Sequence, residues 1–265
     1  MRPLFKRALG AALTLTLAPQ IASAQSFADR YPAIAAGLAI SGGSGALSEE
    51  AVAHGRFVLV DAASARLYMI EDGRIADSMK VVVGKPSAQT PAMTSTLMTA
   101  TLNPYWNVPT DLTRTLIAPH VLKEGAAFLD KHGYEVVTAF EGDVARISPD
   151  TVDWPAIADG TKWVYVRQKP GPANSMGQVK FTIQNGNGIF LHDTPKKELF
   201  AQNQRELSNG CIRLEDAARL ARWLFGRDPR VGSVGSEQQV TLPNPVPIVI
   251  TRLERDSGVQ IAALR

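Results

Sequence analysis

Cysteine is nearly missing from this chain: a single one, Cys211, stands among 265 residues. One thiol cannot close an internal disulfide, so no covalent framework is expected, and a thiolate metal cluster is excluded. Histidine is scarce too. The four, His54, His120, His132 and His192, show no metal-ligand spacing, so no metal site is expected. No apolar run after residue 24 is long enough to span a membrane, and there is no internal repeat. A charge excess is also lacking. The whole chain has 28 basic and 25 acidic residues, but its first 24 residues hold three basic and no acidic ones. The remainder is formally neutral at 25 against 25. With no basic run interleaved with aromatics, nucleic acid is excluded as an expected partner.

What is present begins with a targeting pattern. Arg2, Lys6 and Arg7 precede a largely apolar stretch over 8–18, and Ala22-Ser23-Ala24 forms a small-residue cleavage site. Residues 1–24 therefore read as a secretory signal peptide. Removing it leaves 265 − 24 = 241 residues, enough for one domain with insertions. Residues 25–55 are rich in Ala, Gly and Ser and read as a flexible linker, with Gly42-Gly43-Ser44-Gly45 at its centre. Residues 254–265 read as a tail.

From residue 57 the pattern turns to strands. Phe57-Val58-Leu59-Val60 is apolar, and segments 66–70 and 74–83 flank Asp72-Gly73, a two-residue hairpin signal. Residues 97–102, 178–184, 239–242 and 246–253 add further extended runs. The prolines at 243, 245 and 247 place the last turn at a sheet edge. Between them, residues 103–177 are irregular. Helical stretches are expected over 110–122 and 124–131, broken at Pro119 and Gly125, and extended ones over 134–140 and 163–168. The fold class is mainly β with α: a β-sandwich core carrying an α/β insertion.

The chemistry concentrates in residues 188–225. His192 ends the apolar run Ile189-Phe190-Leu191, which follows Asn185-Gly186 and Asn187-Gly188, so it sits on the outgoing strand of a hairpin. Cys211 follows Ser208-Asn209-Gly210. Leu214, Ala217, Ala218, Ala221, Leu224 and Phe225 form one helical stripe, with Gly226 as its stop. This spacing predicts Cys211 at the start of a helix, where free N–H groups and the dipole favour a thiolate. A lone cysteine is more often an inert buried residue, and the alternative for His192 is a satisfied strand-end histidine. Paired, they suit nucleophile and base. Lys196-Lys197 reads as a charged face.

His192, then Ser208-Asn209-Gly210-Cys211-Ile212-Arg213 after 211 − 192 = 19 positions, resembles the signature of the L,D-transpeptidase (YkuD) catalytic domain. Asn103-Pro104-Tyr105-Trp106-Asn107-Val108-Pro109 is similar to a block of its larger, YcbB-type members. Val81-Val82-Val83-Gly84-Lys85 with Thr90-Pro91 matches the family's early core. The resemblance covers roughly 56–252 and implies a catalytic domain over 56–253, with a lid insertion near 103–177. No separate wall-binding module is expected within these residues. The implied activity is transfer, through a Cys211 thioester, from a tetrapeptide stem of peptidoglycan to an amine, giving 3→3 cross-links in the periplasm or cell wall without a cofactor. His192 would be the base, oriented by the Asp193 carbonyl, since the adjacent carboxylate points to the opposite face of a strand. Ser208, Asn209 and Gly210 would form the active-site loop, with the Gly210 and Cys211 N–H groups as oxyanion donors. Many relatives carry a second histidine at the place of Asn209, and the YcbB-type members often a serine; this departure implies that a histidine at 209 is dispensable and that His192 is the base. Arg213 would hold the loop or a peptide carboxylate, or else pair with Glu215 or Asp216. Tyr105 and Trp106 would line the cleft, or serve as core anchors. Hydrolysis, D-amino-acid exchange and lipoprotein anchoring are alternative outcomes of the same fold. A silent wall-binding module is the alternative from another class. No feature sets an oligomeric state.

Overall fold

A computed structural model describes residues 54–229 and 235–253. The expected signal peptide, all but the last two residues of the linker, and the tail lie outside the described residues.

Thirteen strands, β1 (Arg56–Asp61), β2 (Arg66–Glu71), β3 (Arg74–Gly84), β4 (Met93–Leu102), β5 (Trp106–Val108), β6 (Tyr134–Val137), β7 (Arg146–Ile147), β8 (Tyr165–Gln168), β9 (Val179–Ile183), β10 (Phe190–His192), β11 (Glu206–Ser208), β12 (Ile212–Leu214) and β13 (Gln238–Thr251), are assigned among the described residues. Nine of them form one sheet in the order β11-β3-β12-β10-β9-β4-β13-β1-β2, and β2 also pairs with β3. That extra pairing closes the sheet on itself. The closure is local in origin. Asp72 and Gly73 both take positive φ, 49° and 66°, the turn that matches strand twist, and Glu71 then faces Arg74.

The core follows from strand alternation. Val58 and Val60, Leu67 and Met69, Val81 and Val83, Val179 and Phe181, Ile212 and Leu214 all turn into one cluster. A helix, Ala217–Phe225, lays Ala217, Leu220, Ala221 and Leu224 on the same core. Asp216 caps it by accepting from the Arg219 N–H, and Gly226 ends it at φ 70°. On the opposite face of β1, β2 and β13 a second cluster holds Phe57, Leu59, Tyr68, Ile70 and Val249.

The segment between β4 and β9 builds its own sheet, β5-β8-β6-β7. Helices α1 (Thr110–Leu112), α2 (Ala118–Glu124), α3 (Ala127–Lys131) and α4 (Trp154–Asp159) accompany it, so the helix at Ala217–Phe225 is α5. Val108, Ile117, Val121, Phe128, Val136, Trp154 and Val166 form its separate core.

Two expectations are corrected here. Pro119 does not break its helix. A π turn at Thr113–Ile117 precedes it, with the Ala118 N–H bonded to the Thr113 carbonyl, and the altered register accommodates a residue that lacks an N–H. Residues 239–242 and 246–253 are one strand, not two. β13 runs between β4 and β1, with its irregularity between Thr241 and Val246, so Pro243 and Pro245 fall in a bulge of an inner strand. Pro247 lies within the strand, opposite Thr96.

Candidate active site

β9 and β10 pair as the expected hairpin, with Phe190 opposite Thr182, Leu191 opposite Phe181 and His192 opposite Lys180. β12 then joins β10 in parallel, with Leu191 opposite Ile212 and His192 opposite Arg213. Leu191, Ile212 and Leu214 face the core. Phe190, His192 and Arg213 therefore face the other way, as does Cys211, the residue just before β12.

Cys211 does not start a helix. Between it and α5 lie β12 and the Asp216 cap, because Leu214, counted in the helical stripe, is a buried strand residue. The helix dipole does not reach the sulfur. Burial pushes the Cys211 thiol up, opposed by the Phe190 N–H, Arg213 and Lys180. The sulfur also lies 3.7 Å from the Gly188 carbonyl, to which a thiol proton can be donated.

His192 is 4% exposed. Its Nδ1 stands 2.5 Å from the Asp193 carbonyl oxygen. A carbonyl only accepts, so Nδ1 carries the proton and Nε2 keeps its lone pair. Burial pulls His192 down to about 4; the Asp193 carbonyl opposes this, and Arg213 and Lys180 add to it. At neutral pH the resting pair is thus a thiol and a neutral imidazole. The Asp193 carboxylate has other partners: it accepts from Lys197 Nζ at 2.7 Å and from the Gln178 N–H at 3.0 Å.

The loop before Cys211 is tied on several sides. Ser208 is buried; its hydroxyl donates to the Cys211 carbonyl at 2.6 Å and accepts the Gly210 N–H at 3.1 Å. The Gly210 N–H is therefore engaged, which removes it from the expected oxyanion pair. Gly210 itself sits at φ 114°, and a Cβ there would stand 3.1 Å from Ile189 Cδ1. Thr90 bridges Gly84 and Gly210: its hydroxyl accepts the Gly84 N–H at 2.9 Å and donates to the Gly210 carbonyl at 2.7 Å. Asn209 is exposed.

Arg213 forms no pair with Glu215 or Asp216, whose carboxylates turn to the Lys80 and Arg219 N–H groups. Trp106 packs in the insertion's core, 6.2 Å from the Tyr134 ring. Tyr105 lies under Arg167, 4.2 Å from its ring centroid, and its N–H bonds to Glu237 at 2.9 Å. Lys197 is no idle charged face: it also donates to the Glu215 carbonyl at 2.9 Å, tying the end of β10 to the segment after β12. His120 pairs with Glu124 at 2.9 Å and stacks on Phe128, and His132 also packs on Phe128.

Lys180 escaped the sequence reading. The hairpin register would have found it, since His192 opposite residue 180 follows from turning the chain at Asn185–Gly188. Among the described residues no group of His, Cys, Asp and Glu is placed to hold a metal ion, and no helix is long and apolar enough to cross a membrane.

The profile of the YkuD family, described as the L,D-transpeptidase catalytic domain, matches residues 55–247. A Haemophilus influenzae protein that carries the provisional name of an L,D-transpeptidase is 34% identical over 169 residues, covering 63% of this chain and 33% of that protein. The chain thus spans about a third of that relative's length. Among solved structures, an L,D-transpeptidase from Mycobacterium smegmatis aligns with TM-score 0.36 and 16% identity over 74% of this chain and 59% of its own. The catalytic domain of the Enterococcus faecium L,D-transpeptidase aligns with TM-score 0.32 and 14% identity over 74% and 95%.

Proposed function

The chain belongs to the YkuD family of L,D-transpeptidase catalytic domains, and on that premise we propose that it is an exported cysteine acyltransferase that forms 3→3 cross-links in peptidoglycan. The observation that supports this reading is that Cys211, just before β12, and the buried His192, on the adjoining β10, face the same side of the sheet, with the Nδ1 proton of His192 committed to the Asp193 carbonyl.

The thiol proton passes to His192 Nε2 as Sγ attacks the carbonyl between diaminopimelate and the terminal D-Ala of a tetrapeptide stem. A C–S bond forms, and the charge on oxygen is met by the Cys211 N–H, the remaining member of the expected donor pair. His192 returns the proton to the departing D-Ala nitrogen as the C–N bond breaks. An amine of a second stem then attacks the thioester, His192 takes its proton, the C–S bond breaks and the thiol is restored. Burial keeps His192 unprotonated at neutral pH, so Nε2 has a free lone pair for the thiol proton. The insertion with Tyr105 at its start serves as the lid that covers the donor.

Incubation with tetrapeptide muropeptides tests this by mass spectrometry. The expected results are an adduct on Cys211 equal to the stem less D-Ala, and cross-linked dimers. Cys211→Ala loses both. An adduct on the Cys211→Ala protein would reject the assignment. Tripeptides without dimers would show that water, not an amine, is the acceptor.

A further inference from the structure

Lys180 on β9, His192 on β10 and Arg213 on β12 form one cross-strand row, since His192 is the register partner of both. All three point away from the core, because their neighbours Val179, Phe181, Leu191, Ile212 and Leu214 point into it. Lys180 Nζ stands 4.9 Å from the Phe190 ring centroid, and Phe190 is the residue whose N–H meets the Cys211 sulfur. Both cations act electrostatically on Cys211.

Among the described residues no carboxylate comes within ion-pair distance of Lys180 or Arg213. Asp193 is taken by Lys197, Glu215 and Asp216 turn to Arg219 and its neighbours, and Glu237, the acid nearest Lys180 in effect, holds the Tyr105 N–H. Both cations are partly withdrawn from water. Two half-buried like charges flanking a neutral imidazole disfavour the free protein. A carboxylate docking between them relieves both costs, and charge-assisted bonds to it are strong.

We propose that Lys180 is a specificity-determining residue that, together with Arg213, binds a free carboxylate of the peptide donor beside Cys211. The proposal rests on the donor assigned above. Such a donor has two free carboxylates near the scissile bond, the C-terminal one of D-Ala and that of the diaminopimelate side chain, and the same chemistry would recognise either.

The test compares three donors with wild type and Lys180→Met: the free acid, the C-terminal amide and the side-chain amide. With the acid, Lys180→Met raises KM about tenfold while kcat stays within about twofold, as expected for lost ground-state binding. One of the two amides already shows the raised KM on wild type and responds no further to Lys180→Met, which identifies the carboxylate. Lys180→Arg restores the wild-type preference. An equal loss on all three donors, or no change on any, overturns the proposal. Calorimetry of the tetrapeptide on Cys211→Ala and on Cys211→Ala with Lys180→Met reads the same contact without chemistry. If wild type fails to acylate, the transpeptidase reading falls, while carboxylate-dependent binding lost with Lys180 still sustains this one. Binding that ignores Lys180, or no binding at all, overturns it.

Discussion

At the residue scale, environment decides what the sulfur and the imidazole are at rest. Burial raises the one and lowers the other, so neither is charged near neutral pH, and a thiolate forms only when the proton moves. A measurable consequence is the acid limb of kcat/KM. It should fall near pH 4 rather than near 6.5, the ordinary histidine value. A limb between about 6 and 7 would mean that His192 is not so buried in the free enzyme, or is not the base. Exchange of His192 for Gln should remove this limb and lower kcat by about a hundredfold or more, read by the rate of adduct formation. His192 and Cys211 could be singled out in the chain because their separation and flanks are local patterns. Their charge states were not, because they depend on what surrounds them.

Short elements deliver these residues, and their ties are few and testable. Gly84, at the end of β3, faces Ser208 of β11. A Cβ there would stand 2.2 Å from the Ala88 carbonyl oxygen and 2.5 Å from the Thr90 nitrogen, both backbone atoms. Gly84→Ala must push the 88–90 segment away and with it the Thr90 bridge to Gly210. Activity should fall by at least about tenfold, with a loss of stability of about 1–3 kcal/mol by urea unfolding. Unchanged activity would show that the bridge does not position Cys211 for the proposed reaction. Ser208→Ala strips the Gly210 N–H of its acceptor and the Cys211 carbonyl of its donor, and should cost about 1–3 kcal/mol. Its adduct should form more slowly, while Ser208→Thr, which keeps the hydroxyl, recovers part of the rate. The sequence placed Ser208 in the loop by resemblance, but the hydroxyl's double role needed coordinates. The misplaced helix start has a plain cause: Leu214 fits a helical period and an alternating strand equally well, and only its pairing with Val81 decides between them.

Across the whole molecule, a buried neutral histidine links folding to pH. Unfolded His192 takes a proton near 6.5 and the folded one only near 4. Between these values the unfolded chain binds the extra proton, so stability is full above the upper one and falls as pH drops towards the lower. The difference corresponds to roughly 3 kcal/mol for this group alone. Urea unfolding at pH 7 and at pH 4.5 should show the loss in wild type and a shallower one in His192→Gln. Equal slopes in the two proteins would remove His192 from the account. The insertion, with a sheet and core of its own, is a second packed unit; Asn174 fastens its two ends together by donating to the Pro104, Gln168 and Lys169 carbonyls, and the Tyr105 N–H ties its start to Glu237, just before β13.

Local chemistry in the chain determined the turns and most strands. Asp72-Gly73 can turn only one way at low cost, and the Asn-Gly pairs reverse β9 into β10, so the hairpins and the histidine's position were readable. Alternating apolar residues likewise set which side of each strand is buried. Tertiary structure decided the rest: that β12 joins β3 and so lets the β2–β3 hairpin close the sheet, that Cys211 introduces a strand rather than a helix, and that Lys180, His192 and Arg213 align in a row. These depend on pairing between segments distant in sequence, and a parallel neighbour such as β12 leaves no turn signal that would fix its register in advance.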